Sequence, residues 1–176
     1  MHDLNRPAPW MPVPDGAQAT ATEQIWRDLA VELDALLSGE TDLIANTANA
    51  AAAIYHSIPR LNWAGFYFSR GDILVLGPFQ GRPACVRITL GTGVCGRAAR
   101  DRRSVLVPDV DAFPGHIACD SASRSELVIP LIRDDVLLGV LDLDSPDLAR
   151  FDAADQRGCE DVAAVIVRHL PRSVLF

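Results

Sequence analysis

The spacing of apolar residues changes along this chain, and the change divides it into helical and extended segments. Between Thr22 and about Leu37, apolar residues recur every three or four positions, which predicts an amphipathic helix that Ser38-Gly39 ends. The residues expected on its buried face are Ile25, Leu29, Leu33 and Leu36.

Two more helices follow from composition and from capping signals. The alanine-rich stretch from Asp42 to Ser57 favours helix, with Thr41 as its expected N-cap and Pro59 beyond its end. A final helix is predicted after Asp152, which has the side chain of an N-cap. The residues expected to point inward from it are Val162, Ile166 and Leu170.

The middle of the chain has the two-residue period of β-strands. Leu61 to Arg70 and Ile73 to Phe79 form a predicted hairpin around Gly71-Asp72, with Pro78 marking the end of the return strand. Gly91 and Gly93 precede a short helix from Val94 to about Asp101. The other predicted strands are Cys85–Leu90, Ser104–Val110, Glu126–Ile132 and Val136–Asp144.

This order of elements predicts an α+β domain. We expect a central, mostly antiparallel sheet of about six strands with helices packed against it. Residues 20–176 form a single domain in this prediction. Residues 1–19 contain four prolines and form either an extended arm or a loosely ordered tail. The stretch from Asp111 to Ser125 is a predicted loop, and loops this long in compact domains are usually functional.

Composition and charge narrow the classes of function. A net charge of −7 argues against a nucleic-acid partner, which usually requires a basic surface. No apolar run approaches the ~18 residues of a membrane span, and the N-terminus lacks a signal-peptide pattern. We therefore expect a cytoplasmic protein whose four cysteines are packing residues, metal ligands or redox groups rather than structural disulfides.

Three acidic residues are candidates for binding or proton transfer. Asp142 and Asp144 are two positions apart at a strand end and so share one face; the alternative explanation is a solvated strand end. Glu126 reaches that face opposite Asp142 if the hairpin loop has three residues, Arg133 to Asp135. We predict that loop because Asp134-Asp135 lacks the glycine of tight two-residue turns. The three acids could then bind an ammonium group or donate a proton.

Three cysteines are candidates for redox chemistry. Cys119 is expected to be the most exposed, and Cys85 or Cys95 could reach it, with a helix N-terminus stabilising a thiolate at Cys95. The alternative for each is a small buried residue, which is our interpretation of Cys159. A zinc site is not expected, because its short paired spacing occurs only between His116 and Cys119.

Two aromatic residues complete the candidate site. Trp63 and Tyr67 share one face of their strand with Gly65 between them, while Ala64, Phe66 and Phe68 share the other. Core packing explains most strand aromatics, but a glycine between two of them could leave an opening for a methyl or thioether group. The residues alone thus indicate a cytosolic thiol oxidoreductase acting on a small zwitterion.

Five segments of the chain closely resemble the free methionine-(R)-sulfoxide reductases, a branch of the GAF-domain family. They are LNWAGFYF, LGPFQGRPAC, GVCGRAA, DAFPGHIACDSASRSE and GVLDLDS. The resemblance covers about Glu23 to Val167 and implies the GAF fold, with its six-stranded antiparallel sheet and flanking helices. It also implies reduction of free L-methionine (R)-S-oxide to methionine, with thioredoxin as the external reductant and no metal or organic cofactor.

The same resemblance implies a role for each cysteine. Cys119 matches the cysteine that attacks the sulfoxide sulfur, and Cys85 matches the resolving cysteine that forms a disulfide with it. Cys95 matches a third family cysteine that offers an alternative disulfide.

The resemblance also implies the substrate contacts. The acids Glu126, Asp142 and Asp144 match those that hold the ammonium group and protonate the sulfoxide oxygen. Trp63 and Tyr67 match the aromatic wall. Backbone N–H groups near His116 and Ile117 are expected to take the substrate carboxylate.

Two other interpretations compete with an enzyme. A sensory GAF module would bind a small ligand without turning it over, but it has no need for three thiols around its pocket. A scaffold protein would leave the three acids unexplained. We also expect a homodimer, from the N-terminal arm and the resemblance.

Overall fold

The structure is a computed structural model that describes residues 20–115 and 121–171. The predicted arm at residues 1–19 lies outside the described residues. The elements, in chain order, are α1 Ala21–Leu36, α2 Leu43–Ser57, β1 Trp63–Arg70, β2 Ile73–Gly81, β3 Arg87–Thr89, α3 Gly93–Asp101, β4 Val105–Val107, a 3-10 turn at Val110–Ala112, β5 Ser125–Arg133, β6 Val136–Ser145 and α4 Ala153–His169.

The strands form one six-stranded sheet in the order β3-β2-β1-β6-β5-β4. Each neighbouring pair is antiparallel. The predicted α+β class and the six-stranded antiparallel sheet are therefore confirmed. Two strands remote in sequence, β1 and β6, are neighbours at the centre of the sheet, which brings the two halves of the chain together.

The sheet separates two apolar clusters. Helices α2 and α4 cover one face, and α1 packs against both of them; Ala64, Phe66 and Phe68 of β1 are buried in the cluster on this face. Helix α3 covers part of the other face, where Trp63 and Tyr67 belong to a second cluster. The predicted alternation of β1 is thus confirmed, because successive side chains of a strand point to opposite faces.

The buried face of α1 differs from the predicted one. Trp26, Leu29, Leu33 and the C-cap residue Leu37 are buried, whereas Ile25 and Leu36 are 37% and 47% exposed. The large indole decides the rotation of the helix, because Trp26 is only 2% exposed and its Nε1 donates to Asp155 Oδ1 at 3.0 Å. The prediction for Ile25 and Leu36 was wrong.

The helix caps follow the side chains that can accept from the backbone. The N-cap of α2 is Asp42 rather than the predicted Thr41, because its carboxylate accepts from Ala45 N at 2.8 Å. Asp152 caps α4 as predicted, and its partner in a capping box is Asp155. Val162 and Ile166 are buried, as predicted, and so is the C-cap residue Leu170.

Several strand boundaries differ from the predictions. The strand β3 spans three residues and leaves Cys85 in the preceding loop, and β4 ends at Val107 because Pro108 has no N–H to donate. In contrast, β2 continues past Pro78 to Gly81. Two residues of β2, Gly77 and Pro78, lie opposite the single residue Phe66 of β1, and such a bulge accommodates proline.

None of the helices formed by residues 20–115 and 121–171 is long and apolar enough to cross a lipid bilayer.

Candidate functional site

A row of side chains crosses four adjacent strands on the face that α3 covers. Trp63 of β1 lies opposite Asp144 of β6, Asp144 lies opposite Glu126 of β5, and Glu126 lies opposite Val107 of β4. In the next row Asp142 lies opposite Gly65 on one side and Val128 on the other. The sheet thus brings the three predicted acids together beside an aromatic side chain.

The hairpin that places the acids on this face differs from the predicted one. The β5–β6 loop has two residues, since Arg133 pairs with Val136, and both Asp134 and Asp135 have positive φ, at +49° and +61°. The predicted three-residue loop was therefore wrong. Aspartate tolerates the left-handed conformation that a tight hairpin turn requires, so glycine is not needed here.

A bulge in β6 then returns Glu126 to the face of Asp142 and Asp144, which a two-residue loop without a bulge would not allow. Leu131 pairs with Gly139 and Ile132 with Leu137, so Leu138 is the extra residue. Glu126 consequently lies opposite Asp144, not opposite Asp142 as predicted. The bulge also puts Leu138 in the cluster under the helices, whereas Val140 belongs to the cluster on the site face.

Burial sets the charge of these acids. Glu126 and Asp142 are each 6% exposed, and Asp144 is half-buried. Burial raises the pKa of Asp142 to about 7. Burial, together with the negative charges of Asp142 and Asp144, raises the pKa of Glu126 well above its usual range. The Glu126–Asp142 pair therefore holds a proton at neutral pH, and the burial and neighbouring negative charges of Glu126 favour it as the residue that carries this proton.

Cys95 is the thiol that contacts these acids. It lies in the first turn of α3, is buried, and its Sγ donates to Glu126 Oε1 at 3.8 Å. Burial and the nearby Asp142 and Glu126 raise the pKa of Cys95 well above its usual range. The expectation that the helix N-terminus would favour a thiolate here was wrong, because burial and two carboxylates outweigh the helix dipole.

The aromatic wall is a stack of three rings. Trp63 stacks on Tyr67 with ring centroids 5.9 Å apart and on Phe79 with centroids 5.3 Å apart. The Trp63 Nε1 donates to the carbonyl oxygen of Arg82 at 3.1 Å, which fixes the indole. Burial, with the negative charge of Asp142 next, raises the pKa of Tyr67, so its hydroxyl stays protonated.

The predicted opening at Gly65 is filled. A Cβ added there would lie 2.3 Å from the Cβ of Phe79 and 2.6 Å from an indole carbon of Trp63. Glycine is required because the indole and Phe79 both occupy the space that a Cβ would need. The residue supports the wall rather than leaving a space in it.

The remaining cysteines divide into bonded and free. Cys85 is disulfide-bonded and packs against the same cluster as Trp63 and Tyr67. Cys159 is a free thiol that is fully buried in the cluster beneath the helices, as its interpretation as a packing residue predicted. Cys119, His116 and Ile117 lie outside the described residues.

The chain on both sides of residues 116–120 lies beside the site. Before that segment, Phe113 packs against the cluster that contains Trp63. After it, Ser123 Oγ accepts from Asn62 Nδ2 at 3.0 Å, and Asn62 directly precedes Trp63.

Comparison with known proteins gives a consistent family. The model for the GAF domain matches residues 34–170. The chain is 45% identical to the free methionine-R-sulfoxide reductase of Escherichia coli over 147 residues, which cover 84% of this chain and 89% of the relative. The chain belongs to the GAF-domain family of free methionine-R-sulfoxide reductases.

Two further relatives support this assignment to the family. The free methionine-R-sulfoxide reductase of Saccharomyces cerevisiae is 41% identical over 152 residues, which cover 82% of this chain and 84% of that protein. The X-ray structure of free methionine-R-sulfoxide reductase from Neisseria meningitidis in complex with its substrate has a TM-score of 0.82 at 42% identity. That match covers 88% of this chain and 93% of the Neisseria chain.

Two features of this family member were missed from the sequence. Phe79 stacks on Trp63 because the β2 bulge aligns it with Gly65, and a plain alternation pattern does not reveal a bulge. The contact between Cys95 and Glu126 joins a helix to a strand across 31 residues. The sequence does contain one signal for this contact: Glu126 stands at the start of an apolar strand, and a buried carboxyl needs a hydrogen-bond partner.

Proposed function

We propose that this protein reduces free L-methionine (R)-S-oxide to L-methionine, with thioredoxin as its external reductant. The observation that carries the proposal is the buried Glu126–Asp142 pair, which holds a proton beside the aromatic wall of Trp63 and Tyr67. Sulfoxide reduction needs such an acid, because the oxygen leaves sulfur only after it is protonated. The activity named for the Escherichia coli and Saccharomyces cerevisiae relatives supports the same reaction.

In this proposal, the acids select a free amino acid. The carboxyl groups of Asp142 and Asp144 bind the substrate ammonium group, and Trp63 and Tyr67 contact its methyl and thioether part. Backbone N–H groups near His116 and Ile117 take the carboxylate. Methionine sulfoxide within a peptide is excluded, because its nitrogen is acylated and carries no charge.

The chemical step transfers one oxygen and two electrons. The Cys119 thiolate attacks the sulfoxide sulfur while Glu126 donates its proton to the oxygen. The attack forms a bond between the two sulfur atoms; this bond and the S–O bond of the substrate then break as the hydroxyl group moves to the Cys119 sulfur. Methionine sulfur is thereby reduced by two electrons, and Cys119 is oxidised to a sulfenic acid.

A second thiol completes the cycle. The Cys85 thiol condenses with the sulfenic acid and releases water, which leaves a Cys85–Cys119 disulfide. The disulfide at Cys85 and the free thiol of Cys95 favour Cys85 over Cys95 as the resolving residue. Reduced thioredoxin then returns both cysteines to thiols, a step that suits the proposed location in the reducing cytoplasm. A homodimer is part of the proposal and is checked by sedimentation equilibrium.

The test is NADPH oxidation coupled through thioredoxin reductase and thioredoxin. We expect turnover with the R epimer of free methionine sulfoxide and none with the S epimer or with the N-acetylated R epimer. Cys119→Ser should remove turnover. Cys159→Ala is the matched control and should keep it, since Cys159 lies in the cluster on the opposite face of the sheet.

Two results would overturn parts of the proposal. A folded, reduced protein that does not turn over the R epimer is not this enzyme. If it still binds the epimer in a calorimetric titration, the ligand-binding GAF module is the better description. A Cys119→Ser variant with wild-type turnover would exclude Cys119 as the nucleophile and make Cys95 the next candidate.

A further inference from the structure

One group of metal-capable side chains is buried together among residues 20–115 and 121–171. It consists of Cys95 from α3, Glu126 from β5 and Asp142 from β6, and one ligand atom of each lies within 4.8 Å of the others. The sulfur and the nearer Glu126 oxygen are 3.8 Å apart. Each of these residues belongs to a different element, so no short spacing in the sequence predicts the group.

A second observation points to a ligand at this place. The Oδ1 atom of Asp142 is buried and has no hydrogen-bond partner among the residues that the structure describes. A buried carboxylate oxygen without a partner costs free energy, and a cation would supply the missing contact. This oxygen belongs to the same side chain that faces Cys95 and Glu126.

The distances and donor types select one class of cation. In a tetrahedral zinc site the sulfur and oxygen ligands are about 3.6 Å apart, from bond lengths near 2.3 Å and 2.1 Å. The observed 3.8 Å between Cys95 Sγ and Glu126 Oε1 is close to that value. One thiolate with two carboxylates suits Zn²⁺, Co²⁺ or Cd²⁺, whereas Mg²⁺ and Ca²⁺ require oxygen ligands alone.

We propose that Cys95, Glu126 and Asp142 bind one divalent cation of the Zn²⁺ class, and that this cation and methionine sulfoxide exclude each other. Binding forms one metal–sulfur and two metal–oxygen bonds. It releases the thiol proton and the proton shared by the carboxyls to solvent, with no change of oxidation state. The exclusion rests on the proposed function, in which the substrate ammonium group contacts Asp142. The metal site itself does not rest on the proposed function.

The test titrates Co²⁺, as a spectroscopic substitute for Zn²⁺, into the purified disulfide form of the protein. Cys85 is disulfide-bonded in this form, and the free thiols are those of Cys95 and Cys159. We expect a sulfur-to-cobalt charge-transfer band that Zn²⁺ removes and millimolar Mg²⁺ does not. The band should disappear in Cys95→Ser and persist in Cys159→Ala.

A second variant tests the metal site independently, in case Cys95→Ser does not fold. Asp142→Asn keeps the thiol and the side-chain shape, and should weaken Co²⁺ binding by more than the roughly 10–100-fold loss typical of outer-sphere changes. Circular dichroism confirms that each variant is folded. A band that survives Cys95→Ser, or the absence of any band in the folded wild type, overturns the site, as does unchanged affinity in Asp142→Asn.

The exclusion is tested separately, on the Co²⁺-loaded disulfide form. Adding free methionine (R)-S-oxide should bleach the band, and the S epimer should not. Substrate that binds by calorimetry without bleaching the band refutes the exclusion while the metal site stands. If the substrate does not bind and no turnover is seen after reduction, the proposed function fails, and the Cys95-dependent band still reports on the metal site.

Discussion

Replacing Asp142 with asparagine should make the stability of the fold less dependent on pH. Burial raises the pKa of Asp142 from 3.8 to about 7 in the folded protein. Between those values the folded state keeps a proton that the unfolded chain has released. The folded state therefore binds more protons, and the free energy of unfolding falls as the pH rises through this range. Asparagine has nearly the same shape and does not ionise.

The size of the effect follows from the two pKa values. A difference from 3.8 to about 7 corresponds to on the order of 4 kcal/mol, at roughly 1.4 kcal/mol per pH unit. Part of this loss is already present at pH 5. Between pH 5 and pH 8 the wild type should lose on the order of 2–3 kcal/mol that the Asp142→Asn variant keeps. The variant should also lose activity, because in the proposed function Asp142 holds the substrate ammonium group.

Urea unfolding at pH 5 and at pH 8 measures the difference. The control is Asp72→Asn, which removes an exposed carboxyl from the β1–β2 turn and should not reproduce the pH-dependent gain. If the stability difference between wild type and Asp142→Asn is the same at both pH values, Asp142 is not a buried acid that keeps its proton on folding. The inference that the Glu126–Asp142 pair holds a proton at neutral pH would then fail with it.

Three further substitutions test the packing and a buried ion pair. Gly65→Ala would put a Cβ 2.3 Å from the Cβ of Phe79, and should cost about 1–3 kcal/mol and raise KM through the aromatic wall. As a control, Gly158→Ala creates an equally close contact, 2.2 Å from Trp26 Cγ, and should lower stability without changing KM. If the two glycine variants change KM equally, the aromatic wall has no specific role in binding. Asp155→Ala removes a buried ion pair and should cost about 3–5 kcal/mol in urea unfolding, whereas a loss below 1 kcal/mol would show that the pair is dispensable.

Local patterns predicted much of this fold. The faces of β1 were correct because its two-residue period has no interruption, and the N-cap of α4 was correct because Asp152 is followed by Asp155 in a capping box. The same alternation placed Asp142 and Asp144 on one face. These features depend on residues close in sequence, so one sequence is enough to predict them.

The errors occurred where distant parts of the chain decide the outcome. The rotation of α1 depends on Trp26 reaching Asp155, which is 129 residues away. The position of Glu126 depends on a bulge at Leu138, and nothing in the local spacing announces it. The state of the Cys95 thiol depends on burial under α3 against carboxyls from two strands, whereas the sequence shows only a cysteine near a helix start.

The pairing of β5 with β6 also has a consequence for how the chain avoids misfolding. A slip of one residue in the β5–β6 pairing would put Leu127 in the place of Glu126. The Glu126 carboxyl would then point toward the helices, into the cluster that contains Leu127 and Leu143. There it would have to give up its contact with Cys95, at a cost of several kcal/mol for a buried polar group without a partner. The side chains proposed to bind the substrate therefore also penalise the shifted hairpin, so a neutral replacement at Glu126 should make misaligned strands easier to form as well as slow the reaction.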